Sequence, residues 1–184
     1  MLEDQIKERV FRFFSPKILK YKGKRSTANI LTALSAICSL TASYFFFTAH
    51  LKTGGMFVLL DYLFDGLDGL FAKTSGEASN KGFILDHISD FVLRRIWYFA
   101  LAASGFISYE LVALMIFSLS IGVFLIDLAM IKNLRIYKWS TTWADWLIIP
   151  GLFTGNLVLF FQIMILIQFA LFFVNLASIL YLNK

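Results

Sequence analysis

Apolar residues run through this chain in stretches too long for the interior of a small soluble domain. A membrane-spanning helix needs about 20 mainly apolar residues. Six segments are of that kind, roughly 27–49, 54–72, 82–104, 108–130, 143–160 and 163–182. Residues 143–182 are almost continuously apolar, and only Gly155, Asn156 and Gln162 hint at a turn. Composition agrees: 59% of the 184 residues are apolar and 21 are phenylalanine. Soluble domains carry about 45–50% apolar residues, and at this length they have too little interior to hide the excess. The expected fold is therefore an all-α integral membrane protein with six transmembrane helices in residues 26–184. Residues 1–25 precede it as an amphipathic juxtamembrane segment.

In that first segment Leu2, Ile6, Val10, Phe13 and Phe14 share one helical face, with Lys7, Arg9 and Arg12 around the rest. Such a helix lies in the membrane interface, and Pro16 should end or kink it. These first 25 residues alternate charge with apolar groups and offer no clean apolar run, so a cleavable signal peptide is not expected. The lone Cys38 cannot make an intrachain disulfide and reads as a small core residue.

Orientation follows from the basic residues. Of the 17 lysines and arginines, 14 fall on one side if residue 1 is cytoplasmic and the chain crosses six times. Arg94 and Arg95 lie within a span, and Lys52 alone lies outside. Both termini are thus expected in the cytoplasm. The formal net charge of +5 then reflects topology and anionic lipid, and no nucleic-acid partner is expected.

Carboxylates within membrane spans are costly and mark function. The second and third spans hold Asp61, Asp65, Asp68, Asp86 and Asp90. At about 100° per residue, Asp61, Asp65 and Asp68 fall within an arc of about 60°, beside Gly69 and Ala72. On the next span Gly82, Asp86 and Asp90 follow at i, i+4 and i+8. A short polar connection makes the two spans neighbours. Four converging carboxylates need a counter-charge at low dielectric, and oxygen-only ligands favour Mg²⁺ or Mn²⁺. Gly66, Gly69 and Ala72 leave bare backbone against which a bulky group such as a nucleotide can lie. Asp65, Asp68, Asp86 and Asp90 lie one to two turns from the cytoplasmic helix ends, near headgroup level.

Residues 65–90 read D-G-L-D-G-L-F-A-K, eight residues, then G-F-I-L-D-H-I-S-D. This resembles the CDP-alcohol phosphotransferase signature, D-x-x-D-G-x-x-A-R, eight residues, then G-x-x-x-D-x-x-x-D. Lys73 stands where the signature has arginine, offering a point charge in place of a planar fork. The resemblance implies transfer of a phosphatidyl-type group from a CDP-linked lipid to a small alcohol, with release of CMP. It also implies metal binding by Asp65, Asp68, Asp86 and Asp90, with Asp90 accepting the proton of the attacking hydroxyl. Gly66, Gly69, Ala72, Lys73 and Ser79 would face the donor. So would Asn29 and Thr32, whose N-I-L-T run is similar to the family's Asn-x-x-Thr. A homodimer, with the active site on the cytoplasmic side, is implied as well.

Outside the motif, Asp61 has no counterpart in the signature and reads as a helix–helix hydrogen-bonding group. Arg94 can reach the cavity, with Asp127 as a candidate partner. Arg94, Lys132 and Arg135 are candidate acceptor contacts, suited to a phosphorylated polyol. The residues alone leave two alternatives: an intramembrane prenyltransferase with paired acidic motifs, and a divalent-metal transporter.

Overall fold

The computed structural model describes residues 26–75, 80–132, 134 and 145–182, with side chains described outside 26–28, 69–75, 80–91 and 130. The amphipathic segment 1–25 therefore lies outside the described residues, as do Ser79 and Arg135. Every regular element among the described residues is helical: α1 Ser26–Phe47, α2 Leu51–Ser75, α3 Asn80–Ala103, α4 Tyr109–Ile131, α5 Ile148–Thr154 and α6 Leu157–Leu182. By length and composition three of them can cross a membrane, within Asn29–Phe47, Tyr109–Ala129 and Leu157–Leu182. Helices α2 and α3 have 25 and 24 residues, about 37 Å of helix each, but their apolar runs are broken by the aspartates and basic residues.

The last two expected spans are redrawn. The boundary anticipated at about 160–163 falls at Gly155 and Asn156, and Gln162 stays on helix α6, exposed. Gly155 has φ 77° and its N–H reaches the Gly151 carbonyl at 3.1 Å. That left-handed end suits glycine and terminates the helix. The described helical run before it is Asp145–Thr154. Helix α6 gains the difference and reaches 26 residues.

The chain divides into two compact units, Met1–Ala42 with Met56–Ile96, and Ser43–Gly55 with Trp97–Lys184. In the second unit α6 packs against α4 and α5. Buried Val112, Met115, Ser118, Leu119 and Leu125 on α4 recur at helical spacing. Leu157, Phe161, Met164, Ile165, Gln168, Asn175 and Ser178 do the same on α6. The opposite sides of both helices expose Phe117, Phe124, Leu166 and Phe173. Apolar on all sides, these helices suit a hydrocarbon solvent. Phe46 is fully buried against the bare backbone of Gly54, where a Cβ would collide with its ring.

The turn from α1 into α2 closes with His50 N–H bonded to Phe45 O at 2.7 Å and Ala49 N–H to Phe46 O at 3.0 Å. Ala49 adopts φ 63°, a left-handed position usually given to glycine. The tight turn sends α2 back alongside α1, so their polar faces can meet in the first unit.

Candidate active site

Helix α1 carries a stripe of hydroxyls, Thr32, Ser35, Ser39 and Ser43, at steps of three and four. That spacing keeps them on one face. The three serines are buried. On α2, Asp61 and Asp68 are seven residues apart and share a face to within about 20°. Both are buried, at 2% and 6% exposure, although carboxylates seldom are. The two faces join through side chains. Ser35 Oγ donates to Asp61 Oδ1 and Thr32 Oγ1 donates to Asp68 Oδ2, both at 2.6 Å. Each of these two donors is neutral and by itself leaves the carboxylate's charge in place.

Asp65 is turned about 40–60° from that pair and meets a different helix. Arg94 of α3 places Nη2 at 3.1 Å from Asp65 Oδ2. The guanidinium also lies 4.9 Å from the centroid of the Tyr62 ring, a cation–π seat one turn along α2. Arg94 and Tyr62 are buried, while the Asp65 side chain keeps 27% of its surface exposed. All of these groups belong to the first unit. Arg94 pairs with Asp65, and Asp127, the partner anticipated for it, is exposed.

Gly66 is exposed, and a Cβ built on it would meet nothing within 4 Å. Asn29 is exposed at the start of α1 and Lys132 just past α4. Gly69, Ala72 and Lys73 lie on α2, and Asp86 and Asp90 on α3, with side chains outside the described residues. Four residues separate the two helices, so the halves of the acidic motif are joined by a short link. Among the described residues no three His, Cys, Asp or Glu side chains come together as a metal-binding group. The described part of the motif is its first half, Asp65 to Asp68.

The sequence model of the CDP-alcohol phosphatidyltransferase family matches residues 25–181. The chain belongs to this family. No curated protein and no solved structure matches it. As a CDP-alcohol phosphatidyltransferase it is a transferase of phospholipid biosynthesis, working between a CDP-alcohol donor and an alcohol acceptor. Its three long apolar helices associate it with the membrane. The match runs from just before α1 to near the end of α6, so the family pattern extends well beyond the acidic motif.

Two groups of the site, Ser35 and Tyr62, and one group of the second unit, Asp145, have no place in the motif. Ser35 was legible in principle, because hydroxyls at steps of three and four stand out in an apolar helix. Tyr62 gave no such signal, since a tyrosine in a span passes for an interfacial or core ring. Asp145 is buried at 2% exposure in the second unit, 3.4 Å from the Tyr98 hydroxyl. A carboxylate inside an expected span was its signal.

Proposed function

We propose that this CDP-alcohol phosphatidyltransferase moves the phosphatidyl-type group of a CDP-linked lipid to a small alcohol, with release of CMP. The observation that carries the reading is the unequal support of two motif aspartates. Asp68 is held by a neutral hydroxyl and Asp65 by a guanidinium. Carboxylates so firmly held within a helix of this kind are suited to binding rather than to solubility.

The donor set fits a hard divalent cation, because Asp65 and Asp68 offer oxygen alone and Thr32 leaves the charge of Asp68 in place. Asp65, Asp68, Asp86 and Asp90 would hold Mg²⁺ or Mn²⁺. Such a cation, when bound, supplies charge stabilisation for the donor diphosphate and the leaving CMP. Asn29, Gly66, Gly69, Ala72, Lys73 and Ser79 line the path of the CDP moiety in this reading. Thr32 contributes by fixing Asp68. The open side of Gly66 supports close approach of a bulky ligand to backbone.

In the chemical step the acceptor hydroxyl oxygen bonds to the lipid-side phosphorus. The bridging P–O bond breaks, CMP leaves with the bridging oxygen, and the hydroxyl proton passes to Asp90. Lys132 and Arg135 would meet the phosphate of a phosphorylated polyol acceptor in this reading. Arg94, seated on Tyr62 and paired with Asp65, belongs to the donor half of the site. Six crossings with both termini and the active site cytoplasmic fit the basic-residue distribution. The protein is proposed to work as a homodimer, which a dimer mass in nanodiscs would support and a monomer mass would exclude.

The test is direct. Purified protein is incubated with a CDP-linked lipid, Mn²⁺ and a panel of radiolabelled alcohols, and CMP and lipid product are followed. CMP should form only when lipid and one of the alcohols are both present. Lack of CMP across the panel would sink the reading.

A further inference from the structure

Asp65 and Asp68 sit one turn apart and meet different neighbours. Thr32 gives Asp68 a hydrogen bond and no charge, whereas Arg94 gives Asp65 a full positive charge at 3.1 Å. Arg94 is itself buried at 8% exposure. An isolated guanidinium there would be costly, and the Tyr62 ring at 4.9 Å offsets part of that cost. Arginine cannot shed its proton to relieve repulsion. Its charge is therefore permanent, and it lies against an oxygen of the donor set.

We infer that Arg94 is a resident counter-charge that competes with the divalent cation for Asp65 Oδ2. The inference rests on the metal reading of the same site. Without a cation, Arg94 neutralises half-buried Asp65 and keeps it from repelling buried Asp68 one turn away. With a cation bound, the guanidinium is a like charge a few ångströms away, so native affinity is held below what the carboxylates alone would give. Arg94 is thus a positioning residue. It keeps the empty site stable and the bound cation exchangeable.

The sign of the effect separates this role from its rival. A residue that merely preorganised Asp65 would, on removal, weaken cation binding. Competition predicts the reverse. Removing one positive charge about 5 Å from a cation should tighten binding at least about tenfold at the effective dielectric of buried sites.

Mn²⁺ binding to the purified full chain is measured by calorimetry for native protein, Arg94→Gln and Arg94→Lys, with Tm in EDTA and in saturating Mn²⁺. Arg94→Gln should bind Mn²⁺ about tenfold or more tightly, with a lower Tm in EDTA and a larger rise on adding Mn²⁺. Arg94→Lys keeps the charge and should stay within about threefold of native. Equal or weaker binding by Arg94→Gln overturns the inference and leaves the metal reading standing. Absence of Mn²⁺ binding by native protein overturns both. If Arg94→Gln survives only when purified in Mn²⁺, its rate of Mn²⁺ loss to excess EDTA replaces the titration. Slower loss than native supports competition, and equal or faster loss refutes it.

Discussion

Asp61 offers the sharpest separation of structure from chemistry, because it lies one turn from Asp65 yet has no counterpart in the family signature. Its Oδ1 accepts from Ser35 Oγ at 2.6 Å, and both residues are buried, at 2% and 4% exposure. Hydrogen bonds to charged groups contribute about 1.5–3 kcal/mol in soluble proteins. Interhelical bonds in membranes average only about 0.6 kcal/mol, with a maximum near 1.7. The membrane value is low because the unfolded helices find other partners, but a carboxylate in hydrocarbon has few substitutes for a short hydroxyl bond. The coupling should therefore sit in the upper membrane range, about 1–1.7 kcal/mol. A double-mutant cycle with Ser35→Ala and Asp61→Ala isolates it, with stability read by denaturant titration in mixed micelles. Each single variant should lose stability, and the double variant should lose less than their sum. CMP release by folded Asp61→Asn should stay within about threefold of native, since asparagine preserves shape and removes no motif group. A coupling below about 0.3 kcal/mol, or a loss of turnover without loss of stability, would refute the assignment of Asp61 to helix pairing.

Three further outcomes follow from the same geometry. Asp65→Asn, Asp68→Asn and Asp86→Asn should weaken calorimetric CDP binding in Mn²⁺, whereas Asp90→Asn should largely spare it and cut turnover at least about 10²-fold; near-native turnover would remove Asp90 as the base. Lys73→Ala should raise KM for the CDP-lipid more than for the alcohol, and Lys73→Arg should retain or improve activity; unchanged alanine kinetics would take Lys73 out of the site. Cysteine labelling should find position 52 outside and position 75 in the cytoplasm, and labelling of both from one face would end the six-crossing topology.

Much of the site was readable because buried acids are so costly that their positions in apolar helices cannot be accidental. The arc holding Asp61, Asp65 and Asp68 was legible from the 100° period alone. Which neighbour each acid meets was not. Seven residues make nearly two full turns, so Asp61 and Asp68 stay aligned and both find α1. Asp65, only 40–60° away, is far enough round to meet α3. That split depends on where two other helices lie, which no single-helix periodicity contains. The boundary before α6 was hidden for a different reason. Apolar residues continue through it, and the deciding signal was the single Gly155 with its left-handed backbone. Gln162, which looked like a second candidate, is a polar residue on an exposed helical position.

The hydroxyl stripe on α1 explains why a helix without a motif aspartate is still part of the site. Carboxylates placed in hydrocarbon must be satisfied, and there are two ways to do so. A cation satisfies the charge but cancels it, which would leave a metal site without its attraction. A hydroxyl satisfies the lone pairs and leaves the charge. Thr32 and Ser35 take the second way at Asp68 and Asp61, and Arg94 takes the first at Asp65. Replacing Thr32 by lysine would keep Asp68 bonded yet remove the charge on which cation binding depends. Valine at the same position would keep the charge and lose the bond. The two substitutions should therefore fail differently: Thr32→Lys in Mn²⁺ affinity with stability preserved, and Thr32→Val in stability first, with Mn²⁺ affinity reduced only as far as Asp68 loses its orientation. If both variants lost affinity and stability in parallel, the separation of charge from hydrogen bonding across this helix pair would be wrong.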